Sequence, residues 1–219
     1  MALPAPLVRV RKLLGRIRRA FAVDRYDVFV RRVPADADFA DPQGYRFRWG
    51  DPQDVLGCDE FHTELDGRER REGAARLGLG HRVVLGLSGD TPVFSMWVNP
   101  RCLNLPGILK RALAPGQWFI YKAYTSPEHR GRKLYQSGMR FVLAEMRRTG
   151  LQELVGFAHV KKTVSRAGLA AVEFEDAGRL VHVHWPVLEF TRVSPRLAQR
   201  FPRAVPPSGA LSALARTAP

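Results

Sequence analysis

The chain has 219 residues, of which 45% are hydrophobic and 26% are charged, a composition typical of a globular protein and not of a disordered one. Its formal net charge of +14 is unevenly distributed: residues 1–33 carry +7 and residues 192–219 carry +5, which leaves +2 for the residues between them. A nearly neutral centre argues against a nucleic-acid-binding protein, so we expect no nucleic-acid partner.

Cysteine usage and hydropathy indicate a cytoplasmic protein. Cys58 and Cys102 are the only cysteines, and neither belongs to a CxxC or His/Cys pattern with zinc spacing. No segment approaches the ~18–20 uninterrupted apolar residues of a transmembrane helix. Arginine and lysine interrupt the apolar residues of the first fourteen positions, which excludes a continuous core for a secretory signal.

The beginning of the chain predicts a basic amphipathic helix over residues 7–21, because its apolar residues recur every three or four positions. The helix could dock on the body of the protein through its apolar side, or it could contact an anionic membrane surface. We predict three parts: a basic amphipathic segment (1–33), a central domain (34–192) and a Pro/Ala-rich tail (193–219) that is disordered after Phe201.

Between the two ends, strand and helix patterns alternate. The predicted strands cover 45–49, 81–87, 92–98, 117–125, 154–159, 181–183 and 186–190. The predicted helices begin at Asp51-Pro52, an N-cap followed by a proline at the first helical position, and at 66, 134 and 163. Residues 100–116, rich in Pro and Gly, are predicted to form a loop. The order indicates an α/β (α+β) fold with a mixed sheet.

The most informative segment follows strand 117–125. It reads Ser126-Pro127-Glu128-His129-Arg130-Gly131-Arg132-Lys133-Leu134-Tyr135 and leads directly into an amphipathic helix. A strand that turns into a helix directs unpaired N–H groups and the positive end of the helix dipole at one point, which suits a phosphate. The three cations at 130, 132 and 133 add to that potential, although a solvated basic loop would have the same sequence.

This loop resembles the acyl-CoA pyrophosphate loop of GNAT N-acetyltransferases, P-x-x-R-G-x-G-x-G/A. About thirty residues downstream, Lys162 to Phe174 and Gly178-Arg179-Leu180 resemble the N-x-x-S-x-x-G-[IL]-x-x-x-G-F…G-R-L pattern of the same family. The resemblance covers roughly residues 43–191. It implies that 34–192 is a GNAT-like acyltransferase domain, with a mostly antiparallel central sheet, splayed middle strands and flanking helices.

The resemblance also implies a site. We expect the acyl-CoA to bind along the splayed strands and the loop, through Ala123, Thr125, Arg130, Gly131, Arg132, Lys133, Leu134, Tyr135, Lys162 and Ser165. As catalytic groups we expect Glu60 or His62 as a base acting through water and Tyr124 as a positioning group. Tyr121 and His159, also on the splayed strands, have ordinary structural explanations.

Four positions depart from the family pattern. Lys133 and Tyr135 replace small residues of the loop, Lys162 replaces an asparagine, and Glu173 replaces a glycine. A lysine at position 133 is compatible with a bound phosphate because of its positive charge. We expect its backbone to have an angle that does not require glycine. These departures keep open a non-catalytic GNAT-like module that binds a CoA compound.

The cluster His182, His184 and Trp185 suggests a metal, because two histidines two positions apart on a strand share a face. No third ligand is evident in the sequence, so we expect no metal. The leading hypothesis is therefore an acetyl-CoA-dependent N-acyltransferase that acts on a small-molecule amine, for example an amino sugar. The alternatives are the non-catalytic module and a peripheral membrane-binding protein.

Overall fold

The computed structural model describes residues 22–57, 67–185 and 188–202, with the side chains of 56, 57 and 67–71 outside that description. Its strands are β1 (Ala22–Arg32), β2 (Arg46–Trp49), β3 (Arg82–Ser88), β4 (Thr91–Asn99), β5 (Cys102–Leu105), β6 (Leu109–Ala112), β7 (Gln117–Thr125), β8 (Glu153–His159), β9 (Glu175–Trp185) and β10 (Leu188–Val193). Its α-helices are α1 (Pro52–Gly57), α2 (Gly67–Gly78), α3 (Leu134–Arg148), α4 (Thr163–Ala170) and α5 (Pro195–Arg200).

Eight of these strands form one sheet in the order β10-β9-β1-β8-β7-β4-β3-β2. Every neighbouring pair is antiparallel except β7 and β8, which are parallel. Strands β5 and β6 form a separate hairpin. The predicted mixed, mostly antiparallel sheet flanked by helices is confirmed.

Strand β1 differs from the sequence prediction, which assigned its residues to the basic N-terminal segment. It lies inside the sheet, between β9 and β8. Val28 and Val30 are buried on one face, as a strand requires. The buried charge of Asp27 and the basic residues at both ends of the strand obscure its apolar alternation, so the sequence pattern did not indicate a strand.

Two further segments form elements that the sequence pattern did not indicate. Within the predicted loop 100–116, the alternating residues Leu103 and Leu105 are buried and form one strand of the β5–β6 hairpin. Within the predicted tail, Ser194 caps α5 by accepting a hydrogen bond from the Leu197 N–H, and both Leu197 and Phe201 are buried. The predicted membrane-contact helix (7–21) lies outside the described residues, as do 203–219. No helix in the described ranges is long and apolar enough to cross a bilayer.

Helices cover both faces of the sheet. One face packs against the apolar side of α3 and against α4, and the other against the β5–β6 hairpin and α5. Helix α3 approaches the sheet closely at Gly138, where a Cβ atom would lie 2.5 Å from the Phe94 ring. This close approach fixes α3 on the sheet and therefore fixes where its N-terminus begins.

Helix α4 and strand β9 are tied to β1 through one buried carboxylate. The Asp27 side chain is 1% exposed and accepts hydrogen bonds from Arg166 of α4 and from Nε of Arg179 on β9, the latter at 2.5 Å. Burial alone would raise the pKa of Asp27, but the two guanidinium groups outweigh it and the pKa lies below its ordinary value. The ionised Asp27 carboxylate therefore links β1, α4 and β9.

We expect Asp27→Asn to lower the free energy of unfolding by about 2 kcal/mol at pH 7, because it weakens two charge-assisted hydrogen bonds of a buried group. Since the pKa of Asp27 is depressed in the folded state, its contribution is present above the unfolded pKa and is lost as pH falls below about 4. Urea unfolding measured between pH 3 and 7 should show a smaller pH dependence for the variant. The exposed Asp36→Asn serves as the control; an equal change in both variants would contradict the role of Asp27.

Candidate active site

The parallel strands β7 and β8 separate after a short paired stretch. Gln117, Trp118 and Phe119 pair with Glu153, Leu154 and Val155, and no later residue of either strand pairs with the other. Beyond this point β7 remains paired with β4 and β8 remains paired with β1. The predicted splay of the middle strands is confirmed, and it leaves a gap between the ends of β7 and β8.

Backbone groups of β7 face this gap. The Ser126 N–H donates to the Val93 carbonyl of β4 at 2.9 Å. Because successive N–H groups of a regular strand point alternately to its two edges, the N–H group of Thr125 points away from β4 and toward β8. The exposed position of Ala123 in a central strand agrees with an open edge at this point. Both residues are among those expected to bind the acyl-CoA.

A bulge in β7 changes which side chains share a face. Tyr121 pairs with Trp97 and Tyr124 pairs with Ser95, so two residues on β7, Lys122 and Ala123, lie opposite one residue on β4, Met96. Lys122, inside the bulge, has a left-handed φ of 49°. Since cross-strand partners lie on the same face, Tyr121 and Tyr124 lie on one face, where strict alternation would have separated them.

Tyr121 is held by a residue that the sequence analysis did not single out. Its hydroxyl lies 2.6 Å from Nδ1 of His81, and the two rings meet edge to face. Burial, with the nearby charges of Arg76 and Arg101, lowers the pKa of His81 to about 4, so its imidazole is neutral at pH 7. Only the fold joins residues 81 and 121, so no local sequence signal could have identified this pair.

Helices α1 and α2 border the same face. Val55 of α1 packs with Val83, Leu85 and Trp97, and Leu77 of α2 and Tyr121 pack against this cluster. Glu60 and His62 belong to the segment that joins these two helices, and that segment lies outside the described residues. Their predicted role as a base is therefore not tested by the structure.

The loop after β7 forms a short 3-10 turn, Pro127–His129, before α3 begins. Its Arg130 N–H is used within the turn, donating to the Pro127 carbonyl at 3.3 Å. The N–H groups of Gly131, Arg132 and Lys133 have no backbone acceptor among the described residues. The first helical hydrogen bond joins the Ser137 N–H to the Lys133 carbonyl, so the N–H groups of the first turn, residues 134–136, lack helical partners as well.

Two of the three loop cations are anchored by the protein. Arg130 Nε donates to the Thr125 carbonyl at 3.2 Å, and Arg132 donates to the Tyr45 hydroxyl at 2.9 Å. The Tyr45 hydroxyl also forms a hydrogen bond with Nδ1 of His129 at 3.0 Å. Tyr45, a residue missed at the sequence level, thus ties the loop to the start of β2.

Lys133 has a backbone conformation that the sequence analysis did not expect. Its φ and ψ are 60° and 18°, in the left-handed region, where it serves as the N-cap of α3 without a side-chain cap. The expectation that this position needs no glycine-like angle was wrong. The Lys133 ammonium has no hydrogen bond or ion pair within the described part of the chain, so it is available to an anion at the helix N-terminus.

The side chains of the first α3 residues point into the protein. Leu134 is 2% exposed, and the Tyr135 ring packs against Gly168 of α4. Burial raises the pKa of Tyr135 to about 12, so its hydroxyl stays protonated at neutral pH. Any contact of these two residues with a phosphate would therefore use their backbone N–H groups, as the sequence analysis expected.

The remaining predicted residues lie around the end of β8. Lys162, the exposed N-cap of α4, donates its backbone N–H to the His159 carbonyl, and Ser165 lies in the first turn of α4. Both ring nitrogens of His159 are engaged: Nδ1 accepts from the Lys161 N–H at 3.1 Å, so Nε2 carries the proton and donates to Asp24 at 3.2 Å. His159 is a structural link, as the sequence analysis favoured.

Solved structures share this fold at low sequence identity. A protein of Novosphingobium aromaticivorans assigned to the GNAT acetyltransferase family aligns over 74% of this chain and 64% of its own, with a TM-score of 0.52 and 16% identity. A GCN5-related N-acetyltransferase from Sphaerobacter thermophilus aligns over 84% of this chain and 58% of its own, with a TM-score of 0.52 and 16% identity. The chain thus spans about three fifths of the length of these structures.

No family model and no curated protein matches the sequence. At these identities the structural likeness shows the fold: the chain has the fold of GNAT acetyltransferases. The fold class implied by the resemblance of its loop is thereby confirmed.

The left-handed Lys133 gives a direct stability prediction. A side chain in this conformation costs about 1 kcal/mol relative to glycine. We expect Lys133→Gly to unfold with a free energy about 1 kcal/mol higher than Lys133→Ala, since both variants lose the same charge and only glycine relieves the strain. Urea denaturation of the two variants measures this difference, and equal stabilities would show that the backbone there is not left-handed.

Proposed function

We propose that the chain is an acyl-CoA-dependent N-acyltransferase that transfers an acetyl group from acetyl-CoA to the amine of a small molecule, with an amino sugar as one candidate. The observation that carries this proposal is the gap between β7 and β8, which adjoins a helix N-terminus surrounded by three cations. The gap would accept an extended amide-containing arm, and the helix N-terminus would accept a diphosphate.

The residues present fit a CoA thioester. The N–H groups of Ala123 and Thr125 at the open edge of β7 would pair with the pantetheine amides as a neighbouring strand would. The N–H groups of residues 131–136 would hold the diphosphate, assisted by the Lys133 ammonium, which has no partner among the described residues. The Arg130 side chain, which donates a hydrogen bond to the Thr125 carbonyl, would add its positive charge near the diphosphate.

Bound acetyl-CoA supplies an activated thioester carbonyl, and the chain supplies positioning and polarisation. A backbone N–H near Tyr124 and Thr125 would stabilise the charge that develops on the carbonyl oxygen. The neutral amine attacks the carbonyl carbon, the C–S bond breaks, and one proton passes from the amine to the departing thiolate. The products are an amide and free CoA.

The acceptor would approach from the face that carries Tyr121 and Tyr124. On this face the neutral His81 fixes the direction of the Tyr121 hydroxyl, and Tyr124 would position the amine. Glu60 or His62 would remove the amine proton through water. The position of their segment between α1 and α2, which pack beside Tyr121, supports this assignment.

A non-catalytic module that binds a CoA compound remains the second candidate, favoured by the departures at positions 133, 162 and 173. Such a module would have the same CoA-binding site but would not catalyse acyl transfer. Binding and turnover therefore need separate measurements.

Binding is tested first. We expect Lys133→Ala to weaken CoA binding about tenfold, equivalent to one charge-assisted hydrogen bond of about 1.4 kcal/mol, as measured by calorimetry. Pantetheine lacks the diphosphate and should bind the wild type and the variant equally. The control Arg192→Ala removes one charge from the exposed edge strand and should bind CoA as the wild type does. Equal CoA affinities for Lys133→Ala and the wild type would contradict the diphosphate site.

Turnover is tested with acetyl-CoA, a panel of amines and detection of the released thiol. We expect amine-dependent thiol release, with a kcat about tenfold lower in Tyr124→Phe and an unchanged KM for acetyl-CoA, since the hydroxyl acts on the acceptor. Tyr26→Phe, on the same face but on β1, serves as the control. Normal CoA binding with no release for any amine would favour the non-catalytic module.

A further inference from the structure

The hairpin of β9 and β10 assembles three side chains with metal-binding atoms at the edge of the sheet. His184 and Glu189 are direct cross-strand partners, and His182 lies two residues before His184 on the same face. One ligand atom of each of the three residues lies within 4.8 Å of the others. The sequence suggested only the two histidines, and the third ligand becomes visible when β10 folds back on β9.

The hydrogen bonds around His182 determine which of its nitrogens is free. The Thr191 hydroxyl donates its only hydrogen to the Ile108 carbonyl at 3.0 Å, so at its 3.0 Å contact with His182 Nδ1 it accepts. Nδ1 therefore carries a proton. In the neutral imidazole, Nε2 then presents a lone pair, and it faces Glu189 Oε1 at 3.3 Å.

These two facing atoms, Nε2 and Oε1, can both coordinate a cation that lies between them. His182 is 6% exposed, whereas His184 and Glu189 are exposed, so an incoming ion could reach the cluster from solvent. His184 Nδ1 approaches the other carboxylate oxygen at 3.8 Å.

We propose that His182, His184 and Glu189 form a binding site for a divalent transition metal ion, with zinc as the best match. Two imidazoles and one carboxylate are ligands that zinc prefers, and ligand atoms of a tetrahedral zinc site lie about 3.3–3.5 Å apart. The observed separations of 3.3 and 3.8 Å are close to this value. The bond from Nδ1 to Thr191 is the orienting contact that a metal-bound histidine usually has.

Bound metal would join β9 to β10 at the end of their hairpin and would leave a fourth position open to water or a small ligand. His182 pairs across β1 with Asp24, and Tyr26 follows Asp24 on the same face. The open position therefore lies on the same side of the sheet as Asp24 and Tyr26.

The test uses the tag-free full chain after treatment with EDTA. Calorimetry with Zn²⁺ and absorption spectroscopy with Co²⁺ should each show one saturable equivalent, with cobalt bands of four- or five-coordination. Because His184 and Glu189 are exposed, His184→Ala and Glu189→Gln should fold and should each weaken zinc binding at least about tenfold. Thr191→Val should weaken it by roughly 10- to 100-fold through loss of the orienting contact.

The matched control is Glu175→Gln, which removes a carboxylate from the opposite end of β9 and should bind zinc as the wild type does. The proposal is overturned if the wild type takes up no equivalent of either metal. It is also overturned if His184→Ala and Glu189→Gln bind zinc as tightly as Glu175→Gln.

Discussion

The early end of pairing between β7 and β8 is the constraint on which the rest of the site depends. A backbone N–H or carbonyl that loses its strand partner costs free energy unless water or a ligand satisfies it. Here each strand keeps its outer partner, β4 or β1, so the unpaired groups are confined to one gap. The left-handed Lys122 lies in the bulge of β7 at that point, and α3, held close to the sheet at Gly138, begins shortly after β7 ends. The separation of β7 and β8, the bulge in β7 and the position of α3 thus together shape the site.

Local signals predicted the elements around the gap, whereas contacts between distant residues could not be predicted. Strand β7 and the start of α3 were correct because a regular apolar pattern and the Pro127 turn define them. Strand β1 was missed because the charge of Asp27 is neutralised only by arginines about 140 and 150 residues away. The shared face of Tyr121 and Tyr124 depends on a bulge that the sequence does not mark, and the contact between His81 and Tyr121 exists only after β3 and β7 join the same sheet.

Two departures from the family pattern, at positions 133 and 173, lie where the backbone of this chain is left-handed. Lys133 and Glu173 stand where the family has glycine, and both have left-handed φ values, 60° and 56°. The left-handed conformation therefore costs about 1 kcal/mol of backbone strain at each of these residues. Glu173 gains an ion pair with Arg31 at 2.5 Å, and Lys133 brings a positive charge to the helix N-terminus. A left-handed backbone at positions 133 and 173 is therefore compatible with the residues present.

The proposed acyl transfer needs a general base, and the hydrogen bonds of the structure limit which side chains could serve as one. His81 is neutral, with a pKa of about 4, and is therefore a weak proton acceptor at pH 7. Nδ1 of His129 is hydrogen-bonded to Tyr45, both nitrogens of His159 are engaged, and Tyr135 is partly buried, with a raised pKa. Asp24, beside the acceptor face, is held by His159. An acyl transfer from a thioester to an amine still releases a proton, which must leave through a group with a pKa nearer 7 or through water. Val55 of α1 and Leu77 of α2 pack beside this face, and Glu60 and His62 belong to the segment between these helices, which lies outside the described residues.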